Sequence, residues 1–127
     1  MTIHQEIDIA ATPERVYDAL VTSKQFSEFT GGAPADIEAK PGGAITMFGG
    51  HITGRNVETM PGKRLVQAWR AKDWADGHYS LVRFELRPQG KGTRLVFDHT
   101  GYPEDQHQHL EPGWHKMYWE PLKKYLA

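Results

Sequence analysis

The chain has 127 residues, enough for a single domain (1–127) with its own core, since folding at around 150 residues buries roughly 70% of the unfolded surface. Its 39% hydrophobic and 24% charged residues, with 13 glycines and 8 prolines, describe a globular chain of many short connections and exclude disorder. Fifteen basic against sixteen acidic residues, a net charge of -1, lack the positive excess of a nucleic-acid or anionic-membrane binder.

The chain has no cysteine, which excludes a disulfide framework, a thiol nucleophile and a thiolate metal site. The start, MTIHQEIDIA, has no signal-peptide pattern, and no window approaches the run of about eighteen apolar residues that spans a bilayer. A soluble, cytoplasmic protein with neither nucleic-acid nor membrane partners is the expectation.

Residues 3–9 alternate, with Ile3, Ile7 and Ile9 on one face and His4, Glu6 and Asp8 on the other, the period of a half-buried strand. In ATPERVYDALVT, Thr12 suits an N-cap, Pro13 the first helical position and Glu14 the positive end of the helix dipole. Val16, Tyr17 and Leu20 then face inward. Thr22 and Gln25 fit a capping box for a second short helix carrying Phe26 and Phe29, which TGGAP ends.

From Asp36 to Tyr102 the segments ADIEAK, AITMFG, HITGRNVET, RLVQAWRA, HYSLVRFELRP and TRLVFDHTG are separated by turn chemistry and read as six antiparallel strands. Val82, Phe84 and Leu86 alternate with Arg83, Glu85 and Arg87, and Leu95, Phe97 and His99 with Arg94 and Asp98. In RLVQAWRA, Leu65 and Trp69 compete with Val66 and Ala68 for the inside, and Trp69 is placed inward.

After Pro103 the period turns helical, with Leu110, Trp114, Met117 or Tyr118, Pro121 or Leu122, and Tyr125 on one stripe. Pro112 and Pro121 predict a kink near 112 and distorted last turns. The expected fold class is α+β: one strand, two short helices, and a curved antiparallel sheet of about six to seven strands wrapped around a long C-terminal helix.

The segments ATPERVYDALVTSKQFSEF, AKPGGAITMFGGHITGRNVETMPGKRLVQAWR, GKGTRLVFDHTGY and HLEPGWHKMYWEPLKKYL resemble, in order and spacing, the SRPBCC or START-like superfamily. The branch they match is the one related to the activator of the ninety-kilodalton heat-shock-protein ATPase. Its marks read here as Pro13 to Leu20, Pro41-Gly42-Gly43, Pro61 to Trp69, Gly92 to Gly101, and Gly113-Trp114. Pro112 departs from the usual last helix, and Phe29 stands where a tryptophan is usual. The resemblance implies a helix-grip fold, like that of the birch-pollen allergen, with a cavity between sheet and helix that binds apolar small molecules in the wider superfamily. It implies no reaction.

Bulky residues on a helix stripe fill cores before they line ligand sites. As a ligand wall, the candidates are Phe48, Trp69, Trp74, Tyr79, Phe84, Phe97, Trp114, Met117 and Tyr118, with Met117 an adaptable filler. His99 alternates toward the same face, as a satisfied structural histidine, a group orienting a ligand, or a base. His99, His107, His109 and His115 invite a metal reading, but 107 and 109 point about 200 degrees apart on a helix and no i, i+4 pair exists, so neither metal nor cofactor is expected.

The nucleophile-elbow, P-loop and dinucleotide-binding patterns are absent. Asp73 and Asp76 fall in a solvated loop and Asp98 alternates outward. Three functions are thus weighed: a carrier or sensor of an apolar or amphipathic small molecule, which is favoured; a module acting on a chaperone ATPase through its surface; and a cyclase- or hydrolase-like enzyme using His99 with Tyr79 or Arg83. The chain is monomer or homodimer, an edge strand offering the route to the latter.

Overall fold

Alternating isoleucines open the chain as strand β1 (Thr2–Ile9), whose side chains are buried and exposed in strict turn. Residues 1–127 are described by a computed structural model. Thr12 caps α1 (Pro13–Val21) by accepting from the Arg15 N–H at 3.4 Å, with Pro13 in the first turn. α2 (Ser23–Phe29) follows directly, but the capping box does not form: Thr22 makes no side-chain capping bond. Its backbone N–H instead closes α1 on the Asp18 carbonyl, so one residue ends one helix and begins the next.

The chain then lays down β2 (Asp36–Ile37), β3 (Ala44–Met47), β4 (Ile52–Met60), β5 (Arg64–Ala71), β6 (Ser80–Gln89) and β7 (Gly92–Thr100). All pairings are antiparallel, in the order β1-β7-β6-β5-β4-β3-β2. The segment ADIEAK shrinks to two strand residues, because Lys40 folds back on Glu38 in the turn ahead of Gly43. On β5, Leu65, Gln67, Trp69 and Ala71 are the buried set, so Trp69 points inward. Opposite it in the register stands Gly54, where a Cβ would sit 1.8 Å from the Ala68 carbonyl oxygen; only glycine lets β4 approach this closely.

The concave face is covered by α3 (His107–Trp114), a π turn (His115–Trp119) and α4 (Glu120–Leu126), which run on as one helix. The helix carries Pro112 in its α part, and the distortion lies downstream, where the Glu120 N–H bonds five residues back to the His115 carbonyl. Pro121 has no N–H and its ring crowds the carbonyl four residues earlier, which favours a widened turn just before it.

The extra residue changes the buried stripe to Leu110, Trp114, Tyr118, Trp119, Leu122 and Leu126, leaving Met117 exposed and Tyr125 half-buried. Trp119, which regular helical spacing puts outside, is 1% exposed and donates to Gln5 Oε1 at 2.7 Å. Gln5 in turn donates to the Glu111 carbonyl, tying β1 to the helix.

Candidate functional site

Between the helix and the β4–β5 end of the sheet lies a half-open recess of about 650 Å³. Ile52, Trp69 and Ala71 contribute its strand side, Phe48 and His51 one lip, and Trp74 the loop after β5. Leu110, Gly113, Trp114, Met117 and Tyr118 face them from the helix. The rings are in contact: Trp69 lies 5.7 Å from Trp74 and 5.3 Å from Trp114, and Trp114 lies 4.4 Å from Tyr118, centroid to centroid. The charged residues of the recess, Asp73 and Lys116, are exposed at its margin.

Six predicted wall residues, Phe48, Trp69, Trp74, Trp114, Met117 and Tyr118, are thus brought together. Phe84 and Phe97 lie in the solid core instead, their rings 5.2 Å apart and against Trp114 and Trp119. Tyr79 is a correction: it is half exposed, with the Arg70 guanidinium over its ring at 5.8 Å, because it precedes Ser80 where the strand turns its alternate residues outward. Ile52, Ala71, Leu110 and Gly113 were missed; small or aliphatic residues carry no local mark of a recess, and only the pairing of β4 with β5 beneath the helix puts them there.

His99 is fully buried and completely bonded. The Trp114 Nε1–H donates to its Nδ1 at 3.1 Å, so the ring's own hydrogen sits on Nε2 and is donated to Ser80 Oγ at 2.8 Å. That hydroxyl donates to the Trp69 carbonyl at 2.9 Å. Burial lowers the His99 pKa to about 3, so near neutrality the ring is uncharged with both nitrogens engaged. This chemistry suits a strut and not a base. Tyr79 and Arg83 do not converge on it, since both are exposed and Arg83 bonds Asp98 Oδ2 at 2.7 Å on the outer face. Asp98 loses part of its hydration there, which alone would raise its pKa, but bonds from His4 and Arg83 hold it below the usual carboxylate range.

His107 bonds the Tyr102 hydroxyl and lies near Glu111, while His109 and His115 are exposed. No three His, Asp or Glu side chains are grouped to hold a metal ion.

The family described as "Activator of Hsp90 ATPase homolog 1-like protein" matches residues 10–127. The chain belongs to this family. Over 113 residues it is 30% identical to the human "Activator of 90 kDa heat shock protein ATPase homolog 1", a match covering 89% of this chain and 33% of the relative. The Dictyostelium discoideum homolog is 29% identical over 123 residues, or 96% of this chain and 32% of the relative. The chain therefore spans about a third of the length of these family members.

Among solved structures, an HSP90 activator from Plasmodium falciparum superposes with a TM-score of 0.92 at 22% identity, covering 99% of this chain and 96% of that one. The Aha1 dimer from Colwellia psychrerythraea gives 0.84 at 22%, with the same coverage. These likenesses establish the helix-grip, α+β fold that the family shares. No helix is long and apolar enough to cross a membrane.

Proposed function

We propose that this domain binds an apolar or amphipathic small molecule in the recess between the sheet and the C-terminal helix, as a carrier or sensor. The observation that carries the reading is the recess itself: about 650 Å³, walled by aromatic and aliphatic side chains with polar groups at its margin. Small-molecule sites have this makeup and run from roughly 300 to 1,000 Å³. A core that only needed filling would close over such a volume, because interiors pack to crystal-like density.

Titration with the neutral fluorophore N-phenylnaphthylamine tests it. Saturable binding of one equivalent, weakened by Met117→Ala at the lip while circular dichroism stays unchanged, is the expected result. Linear, non-saturating fluorescence would remove the reading.

A second reading is favoured by the family: a cytosolic module that acts on a chaperone ATPase. It is supported by the 30% identity to the human activator, over the third of that protein which aligns. Its test is the ATPase rate of an Hsp90 chaperone with and without the purified chain. Stimulation that survives blocking of the recess would make the surface the functional part. Self-association through an edge strand, β1 or β2, belongs to the same reading and is measured by sedimentation.

A further inference from the structure

Thirteen glycines interrupt this chain, and the backbone accounts for all but one of them. Nine hold a positive φ, which side chains rarely adopt. Gly43, Gly54 and Gly92 lie outside that region but have no room, since a Cβ at each would stand 2.4, 1.8 and 2.6 Å from a backbone oxygen. Gly113 has neither reason. It lies inside the terminal helix with helical backbone, and a Cβ there would meet no atom within 4 Å beyond its own turns of helix. Alanine is the best residue for a helix interior and glycine among the poorest. Folding alone therefore favours alanine at 113, and the helix gives up stability to carry glycine.

The space kept in this way belongs to the recess. Gly113 lines it, partly exposed, with Leu110 one turn before and Met117 one turn after. This stretch of wall is open to a molecule from outside, unlike the buried rings behind it: Met117 is 44% exposed, Pro112 is exposed and Phe48 partly so. An apolar site tells ligands apart by shape, because one added methylene takes up volume that a ligand atom would hold. Position 113 is where a single methyl group would narrow the recess without touching the core.

We propose that Gly113 sets the size of the recess: the apolar body of the bound small molecule lies against its bare backbone, beside Met117, in the volume that a side chain would fill. This rests on the reading that the recess takes a small molecule at all.

The test pairs thermal melts with N-phenylnaphthylamine titration of the full chain in three variants. Gly113→Ala should raise Tm, because alanine favours the helix and clashes with nothing. It should also weaken the probe about tenfold, the lower end of what one methylene is worth in an apolar pocket. Gly113→Leu should abolish saturable binding while circular dichroism stays unchanged. Gly90→Ala, in the turn between β6 and β7 with φ +60°, should lower Tm and leave the affinity as it is.

Opposite changes in stability and binding at one residue identify a glycine kept for a ligand. A higher Tm with undiminished affinity in both Gly113→Ala and Gly113→Leu would put the ligand elsewhere in the recess, overturning the inference while the small-molecule reading stands. A lower Tm in Gly113→Ala would show that the helix itself needs the glycine, and overturns it too. If the unaltered chain shows no saturable binding, the small-molecule reading falls and takes this inference with it. Should Gly113→Leu fail to fold, Gly113→Ala decides alone.

Discussion

The bonded chain Trp114, His99, Ser80 and the Trp69 carbonyl makes a pH prediction that can be worked out from one residue. Unfolded, His99 would take a proton near its ordinary pKa of about 6.5; folded, its pKa is about 3. Between those values the unfolded state binds a proton that the folded state refuses, so the contribution is full above the unfolded pKa and is lost as pH falls toward the folded one. The slope for one such proton is at most about 1.4 kcal/mol per pH unit. Urea unfolding of the wild type and of His99→Gln, followed from about pH 6.5 down to about pH 5, should show a steeper loss for the wild type by about 1 kcal/mol per pH unit. His4, whose pKa is raised by its bond to Asp98, is common to both and cancels. Parallel curves would mean that His99 accepts a proton in the folded state.

Among the elements, the terminal helix departs most from what its sequence suggests. A regular 3.6-residue period places Met117 or Tyr118 on the stripe and leaves Trp119 out. Pro112 predicts a kink and Pro121 a distortion of the last turns, and the widened turn just before Pro121 is the one that sets the register. The π turn takes up one extra residue, so Tyr118 and Trp119 are both buried and Leu122 and Leu126 follow in register. Removing one residue from that turn should restore ordinary spacing: after deletion of Lys116, the residues now at 114, 119, 122 and 126 would stand at intervals of four, three and four. Deletion of Lys116 is therefore expected to keep the fold with a modest drop in Tm, while insertion of one alanine after Lys116 turns the apolar face away and unfolds the domain. Equal Tm losses in thermal melts of the two would show that the widened turn does not set the register.

On the scale of the whole molecule, the sheet separates two surfaces. Its concave side holds the core and the recess, and its convex side carries ion pairs, among them Arg94 with Glu6 and Asp8, together with exposed Tyr79 and Leu81. The recess lies on the concave side, so substitutions confined to the convex side separate ligand binding from any action on a partner. The double variant Tyr79→Ser/Leu81→Ser, confined to the convex side, should change unfolding free energy by no more than about 0.5 kcal/mol, as surface substitutions do. Its affinity for N-phenylnaphthylamine should equal that of the wild type. A loss of probe binding would show that the two sides communicate, whereas a loss of chaperone stimulation with binding intact would assign the convex side to a protein partner.

What the chain alone made readable was whatever repeats at short range. Alternation in β1, β6 and β7, the Thr12-Pro13 helix start and the turn-rich intervals led to seven strands, two small helices and one long helix, and the ordered motifs led to the family. Local signals failed where one residue serves two neighbours, as Thr22 does between α1 and α2, or where a single added residue resets a helix, as before Pro121. The recess belongs wholly to the tertiary structure. Whether Trp69 and Trp74 fill a core or face open space depends on how the helix lies over β4 and β5, strands that are remote from it in sequence and are themselves paired closely enough at Gly54 to admit no Cβ. The same holds for His99: alternation turned it inward, but only the arrival of Trp114 and Ser80 at its two nitrogens made it a neutral strut.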